Sequence, residues 1–306
     1  MNMDRGAQYH QQVQLLLQLL PYVAEHECFA LKGGTAINLF FRNFPRLSVD
    51  IDLVFLPMTE REEALTSIRQ SLSTLAESIR SKIPGARVVA SFREKQDALR
   101  LTVKKDGAQI KIELSPVLRG TVYAPTVMPV SERVEEDFGY AEIQVVHFAD
   151  LYAGKICAAL DRQHPRDLFD VKLLMDNEGI TDSLRKAVLV YMISHSRPIA
   201  ELLRPNFKEI SGLYEGEFRS MAQEDVSLQE LETTRERLVD LIHSSLTKRE
   251  RQFLLTFKQC SPDWTLLDLE GVEHLPAVRW KLRNLKKMNT ASHTQALNEL
   301  ERVLQA

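Results

Sequence analysis

Phe29-Ala30-Leu31-Lys32-Gly33-Gly34-Thr35-Ala36-Ile37-Asn38-Leu39-Phe40-Phe41, followed a few residues on by Arg46-Leu47-Ser48-Val49-Asp50-Ile51-Asp52-Leu53-Val54-Phe55, is the stretch whose reading decides the fold. Its first part is short and apolar and runs into two glycines and a threonine, after which Ala36, Ile37, Leu39, Phe40 and Phe41 recur at helical spacing. That pattern predicts a strand, a tight turn and a helix start. Such a turn lets backbone N–H groups approach a phosphate closely. In the second part Val49, Ile51, Leu53 and Phe55 alternate with Asp50 and Asp52, so the two carboxylates share the other face of a strand. Side by side they repel unless a cation lies between them, and magnesium is the ion that accompanies substrate phosphates. The stretch therefore predicts a phosphate cradle at Gly33, Gly34 and Thr35 and a metal seat at Asp50 and Asp52.

Taken alone, a Gly-Gly pair is an ordinary turn and an Asp-x-Asp pair an ordinary solvated strand face. In this order, with one helix between them, they resemble the signature of the polymerase-beta-like nucleotidyltransferases. The wording Lys32-Gly33-Gly34-Thr35-Ala36, with Arg46-x-Ser48-x-Asp50-Ile51-Asp52-Leu53, is most similar to the AbiEii/AbiGii toxin nucleotidyltransferases. Neither a G-x-x-x-x-G-K-[ST] loop nor a G-x-G-x-x-G fingerprint occurs to compete with that resemblance.

The 306 residues suffice for one large domain or two modest ones. With 44% hydrophobic and 26% charged residues, the composition is that of a globular protein. A net charge of −3 confines any nucleic-acid-binding surface to a local patch. Cys28, Cys157 and Cys260 are scattered and odd in number, which suits a reducing compartment and neither a disulfide framework nor a zinc site. Met1-Asn2-Met3-Asp4-Arg5 is followed by no secretory apolar segment, and no run of about 18 apolar residues is present to span a membrane. The cytoplasm is the expected location.

In chain order, residues 4–25 predict a helix with Val13, Leu16, Leu17, Leu20 and Val23 in one stripe. Residues 59–82 predict a second, opened by a capping box at Thr59 and Glu62. Strands follow at 87–93, 98–104 and 109–114, the last two joined by Asp106-Gly107, a strong hairpin signal. In the third, Ile110, Ile112 and Leu114 take one face and Lys111 and Glu113 the other. Residues 116–141, punctuated by Pro116, Pro125 and Pro129, read as a connector with room for short strands. From His147 the pattern is helical. Lys155 falls in the middle of the apolar arc of Phe148, Leu151, Tyr152, Ile156 and Ala159, so its ammonium must snorkel or find an anion such as a triphosphate. Its removal is expected to leave stability unchanged or improve it. Pro165 suits a first helical turn. Asp167 and Asp170 then share one face of a helix apolar nearly all round, with Lys155, Arg162 and Arg166 as available partners. Helices are expected at 182–195, 198–205, 206–222, 227–258 and 275–304. In the last of these Arg279, Arg283, Lys286 and Lys287 make a basic stripe beside Trp280, with Lys281 and Arg251 as neighbours, a candidate contact for an RNA backbone.

Lys111-Ile112-Glu113 is similar to the Lys-x-Asp element of the toxin family, with Glu in place of Asp, and Lys155 followed by Arg166-Asp167-x-x-Asp170 is similar to its later motifs. The resemblance implies an α/β fold: a polymerase-beta-like nucleotidyltransferase core with a mixed sheet in residues 1–146, then a helical C-terminal half, 147–306, completing the active-site cleft. It implies a magnesium-dependent enzyme in which Asp50, Asp52 and Glu113 bind two ions. Lys32, Gly33, Gly34, Thr35, Arg46 and Lys155 hold the NTP, and Asp167 orients Lys155 or the nucleophile. It further implies the toxin of a bacterial toxin–antitoxin or phage-defence system, acting on RNA, in particular the tRNA 3′ end, and answered by a cognate antitoxin. The same residues allow nucleotidylation of a small molecule or a protein, or a non-catalytic nucleotide- or RNA-binding module. Ser48, two residues before Asp50, shares the carboxylate face, where a phosphate would add negative charge beside the metal ligands and make a regulatory site.

Overall fold

The computed structural model describes residues 3–95 and 97–305, with side chains from residue 8 onward. Met1 and Asn2, part of the segment read above for a targeting signal, lie outside the described residues. The chain divides into two compact units, Met1–His147 with Ser220–Glu224, and Phe148–Arg219 with Asp225–Ala306.

The first unit is built on a seven-stranded mixed sheet. Its strands are β1 (Phe29–Lys32), β2 (Ile51–Phe55), β3 (Arg87–Ala90), β4 (Arg100–Lys105), β5 (Ala108–Arg119), β6 (Thr126–Pro129) and β7 (Glu142–Val145), in the order β3-β4-β5-β2-β1-β7-β6. Strand β1 lies antiparallel to β2 and parallel to β7, and β2 parallel to β5. Register explains the alternation seen in the sequence. Val145, Leu31, Leu53 and Leu114 are partners in one cross-strand row, and all four are buried. Residues one position along each strand point to the opposite face. Helix α1 (Met3–Ala24) packs its Val13, Leu16, Leu17, Leu20 and Val23 stripe on β5 and β7, while α3 (Arg61–Lys82) covers β3 and β4 and touches α1.

The Asp106-Gly107 turn forms as expected, both residues left-handed at φ 48° and 82°, with Lys105 and Ala108 paired across it. Three expectations need correction. The capping box at Thr59 and Glu62 does not form: Glu60 caps α3 without a side-chain bond, the Thr59 hydroxyl is buried without a partner, and Glu62 pairs with Arg61. The segment read as a connector holds β6, β7 and a helix, α4 (Glu132–Phe138). Strand β5 also runs on through Pro116. There the ladder to β2 shifts register between Leu53 and Phe55, and Ser115 Oγ accepts from the N–H groups of Val117 and Leu118. Proline is tolerated in a strand at such a bulge.

The second unit is helical: α5 (Phe148–Asp161), α6 (Pro165–Asn177), α7 (Asp182–Ser194), α8 (Ile199–Leu203), α9 (Ser211–Glu217), α10 (Leu228–Ser245), α11 (Lys248–Lys258), α12 (Pro276–Lys286) and α13 (Thr290–Gln305). Helices α5 and α7 pack closely on each other, α6 lies on α5 and α10, and α12 on α7. Two long helices of the sequence reading are each broken in two. The 227–258 stretch turns at extended Leu246, and both halves carry reciprocal capping boxes, Ser227 with Glu230 and Thr247 with Glu250. The 275–304 stretch breaks between Lys286 and Thr290. The helix expected over 206–222 stops at Glu217, and residues 220–224 belong to the first unit, where Arg46 and Ala222 form a β-bridge. Among the described residues no helix is long and apolar enough to cross a membrane.

Candidate active site

Strand β1 ends at Lys32, and the chain turns at Gly33, whose φ of +78° is a conformation side chains rarely adopt. One helical segment follows, α2 (Gly33–Ala36) continuing into a π-helical turn over Ile37–Phe41. Both glycines are required by proximity. A Cβ on Gly33 would lie 2.5 Å from Asp52 Oδ2, and one on Gly34 would lie 2.8 Å from both an Arg46 guanidinium nitrogen and Ser48 Oγ. The glycine turn is thus packed directly against the residues of the Asp-x-Asp segment. Thr35 draws the two together: its hydroxyl, buried, donates to the Asp50 carbonyl at 2.5 Å and lies 3.2 Å from Ser48 Oγ. Bonded to the Asp50 backbone, the Thr35 hydroxyl positions the carboxylate segment. Arg46 is likewise buried, with a guanidinium N–H on the Leu47 carbonyl at 2.9 Å. Asn38 ties back to the Gly34 carbonyl at 2.7 Å.

One residue along from the buried row Val145–Leu31–Leu53–Leu114, the register sets a second row on the opposite face: Lys32, Asp52, Glu113 and Arg100. Its charges run plus, minus, minus, plus across β1, β2, β5 and β4. Adjacent strands are about 4.8 Å apart, so Asp52 and Glu113 repel unless neutralised from outside the pair. Glu113 has such a neighbour, with Arg100 Nε 2.6 Å from its carboxylate. Sequence reasoning missed Arg100, because its relation to Glu113 exists only through the hairpin register.

Among the described residues no group of three or more His, Cys, Asp or Glu side chains is gathered as a metal cage. Asp52 and Glu113 are nonetheless cross-strand partners, with Asp50 two residues before Asp52 and Glu113 also facing Arg100. Asp50 and Asp52 still fit a magnesium ion by their chemistry. They are hard oxygen donors, half-buried at the start of β2, beside a glycine that leaves Asp52 the space a Cβ would fill.

The later motifs meet inside the second unit. Lys155 is buried and does not snorkel: its Nζ lies 2.8 Å from Asp167 Oδ1 and 3.1 Å from Asp170 Oδ2. Arg162 clasps Asp167 from the other side with two bonds, of 2.5 and 2.9 Å. Pro165 opens α6 with His164 as its cap, Nδ1 accepting from the Arg166 N–H, while Arg166 turns to His164 and Glu217 and takes no part in the cluster. Burial alone would push the Asp167 carboxyl up, but the Lys155 ammonium and the Arg162 guanidinium outweigh it and hold the carboxyl well below the usual range. Asp170, wholly buried, is the second counter-ion of Lys155.

In the expected basic stripe, Arg279, Arg283, Lys286 and Lys287 are all exposed on α12 or at its end. The two supplementary cations are not part of it. Lys281 donates to the carbonyls of His195, Ser196 and Arg197, and Arg251 to those of His243 and Leu304.

The chain is similar in fold to MenT4, a nucleotidyltransferase toxin from Mycobacterium tuberculosis H37Rv. The two share 16% identity over 91% of this chain and 92% of that one, with a TM-score of 0.59. Among curated proteins none matches. A family model described as the nucleotidyl transferase AbiEii toxin of type IV toxin–antitoxin systems matches residues 14–284, which include the glycine turn, the Asp-x-Asp strand and the Lys155 cluster. The chain belongs to the AbiEii family and is a nucleotidyltransferase toxin of a type IV toxin–antitoxin system.

Proposed function

We propose that this enzyme transfers a nucleotide from an NTP to RNA in a magnesium-dependent reaction, with the tRNA 3′ end as acceptor, in the cytoplasm and under the control of a cognate antitoxin. The observation that supports the reading is the close approach of Gly33 to Asp52, which sets a glycine turn against the carboxylate segment. Asp50 and Asp52 would hold magnesium, which supplies neutralisation of the charge on the NTP phosphates. Gly33 and Gly34 would let those phosphates approach the turn without side chains in the way, and Lys32, the cross-strand partner of Asp52, adds positive charge beside them. Arg46 and Thr35, both buried, hold the carboxylate segment in place. Glu113, the cross-strand partner of Asp52, would offer the metal the oxygen that Arg100 does not hold. In the second unit Lys155 acts as a positioning residue, and the exposed Arg162 carries the accessible charge of the cluster. Ser48, within reach of Thr35 and Gly34, remains the place where added phosphate would crowd the turn.

Incubation with each labelled NTP, magnesium and total RNA tests the reading. Asp50→Ala should retain its melting temperature and lose about a thousandfold in transfer rate, as loss of several kcal/mol of charge neutralisation implies. Undiminished labelling would remove Asp50 from the metal site. Labelled product that is not RNA would move the acceptor to a small molecule or protein. Reversing Arg279, Arg283, Lys286 and Lys287 to Glu should raise the KM for RNA and flatten its salt dependence while leaving the KM for NTP unchanged. Equal RNA labelling across a salt series would take the stripe out of RNA binding.

A further inference from the structure

A pocket of about 250 Å³ opens within the second unit, with Ile199, Lys258, Trp280, Lys281, Asn284 and Met288 among its walls. No carboxylate lines it among the described residues, which is unusual for a site holding two lysines. Lys258 is only 6% exposed, and no hydrogen bond or ion pair of its Nζ occurs among the described residues. Burial pushes its pKa down. The neighbouring Lys281 has its charge dispersed over three carbonyls, and burial together with Lys258 brings it down to about 8. Two neighbouring ammonium groups, partly desolvated and with no carboxylate in the pocket walls, favour the entry of an anion. Trp280 meanwhile leaves 44% of its surface exposed at the same pocket. A partly desolvated cation and an open indole are complementary to a phosphate joined to a flat ring. Helix α12, which supplies Trp280, Lys281 and Asn284, also displays Arg279, Arg283 and Lys286 outward. Those cations favour a nucleotide that belongs to a strand over a free one.

We propose that this pocket receives one unpaired nucleotide of the RNA acceptor, its phosphate against Lys258 Nζ and its base on Trp280. The proposal rests on the reading of RNA as acceptor.

The test is a binding measurement made without NTP, using the fluorescence anisotropy of a labelled, unstructured oligoribonucleotide. Lys258→Met and Trp280→Leu should each weaken binding about tenfold. Lys258→Arg should keep most of it, which separates charge from packing. The melting temperature of Lys258→Met should hold or rise, because a partly desolvated charge is removed. Wild-type affinity in Lys258→Met and Trp280→Leu would overturn the proposal. So would adenosine monophosphate displacing the oligonucleotide no better than inorganic phosphate, since the indole would then read nothing. A free nucleoside monophosphate binding about tenfold tighter than the oligonucleotide would overturn the assignment to RNA. Weakened binding in the variants, with no RNA labelled by the wild type, would leave the pocket standing and sink RNA as acceptor. Labelled RNA with an unchanged KM in both variants would do the reverse.

Discussion

Lys155→Ala is expected to destabilise the protein by about 3–5 kcal/mol, the cost of stranding buried charge. The carboxylates of Asp167 and Asp170, 1% and 0% exposed, lose the ammonium that sits within 3.1 Å of both. Arg162 still reaches Asp167 and limits the loss there. The outcome is opposite to what the lone lysine on an apolar arc suggested. That lysine is strained only if its neighbours are apolar, and two of them are acids brought in on α6. The acid side of the stability profile should change with it. The folded pKa of Asp167 is depressed, so its stabilisation is complete above the unfolded value of about 3.9 and is lost as pH falls through the lower folded value. Without Lys155 that loss should begin at higher pH. Urea unfolding at neutral and acid pH measures both effects, and a Lys155→Ala protein as stable as wild type would remove the cluster from the stability of the second unit. Adding Asp167→Asn and Asp170→Asn to Lys155→Met should recover much of the deficit, because no buried charge is then left unpaired.

Gly33→Ala is expected to lower nucleotidyl transfer by about a hundredfold or more, the scale of a 1 Å misplacement at a reacting centre, while reducing stability by only about 1–2 kcal/mol, the cost of a left-handed residue with a Cβ. The added carbon would stand 2.5 Å from Asp52 Oδ2, so either the turn or the carboxylate must move. The left-handed φ of +78° opposes relief by the turn. Gly34→Ala should be milder in backbone terms but pushes on Arg46 and Ser48 at 2.8 Å. Rates measured beside melting temperatures separate the two effects. A Gly33→Ala enzyme of full activity would show that Asp52 need not sit against the turn.

What could be read before the structure was what lies close along the chain. The glycine turn and Asp-x-Asp strand are about twenty residues apart and mark themselves by spacing. Asp106-Gly107 names its own hairpin. The breaks at Thr247 and before Thr290 were missed although the first carries a readable signature, Thr247-x-x-Glu250, masked by apolar periodicity continuing across it. Strands β6 and β7 are four residues each, too short to show alternation among prolines. The partner of Glu113 could not be inferred from residue types, because Arg100 reaches it only once β4 and β5 are in register. Nor could the bond that the Thr35 hydroxyl donates to the Asp50 carbonyl, which depends on the turn folding back toward β2. Long-range pairing decides which charged side chains are reagents and which are struts.

The excursion of Ser220–Glu224 has a consequence for how the toxin comes into being on the ribosome. Leu47 N–H bonds to the Met221 carbonyl and Gln223 N–H to the Pro45 carbonyl, flanking the Arg46–Ala222 bridge. The segment leading into Asp50 therefore receives its last backbone partners from residues translated some 175 positions later. A nascent chain, or a message cut short before codon 220, already contains Asp50, Asp52 and Glu113 yet lacks the strip that pairs Pro45 and Leu47. Synthesis thus imposes a delay between making the acids and completing the loop that carries them, and a fragment encoding the sheet alone is not an equivalent of the whole protein.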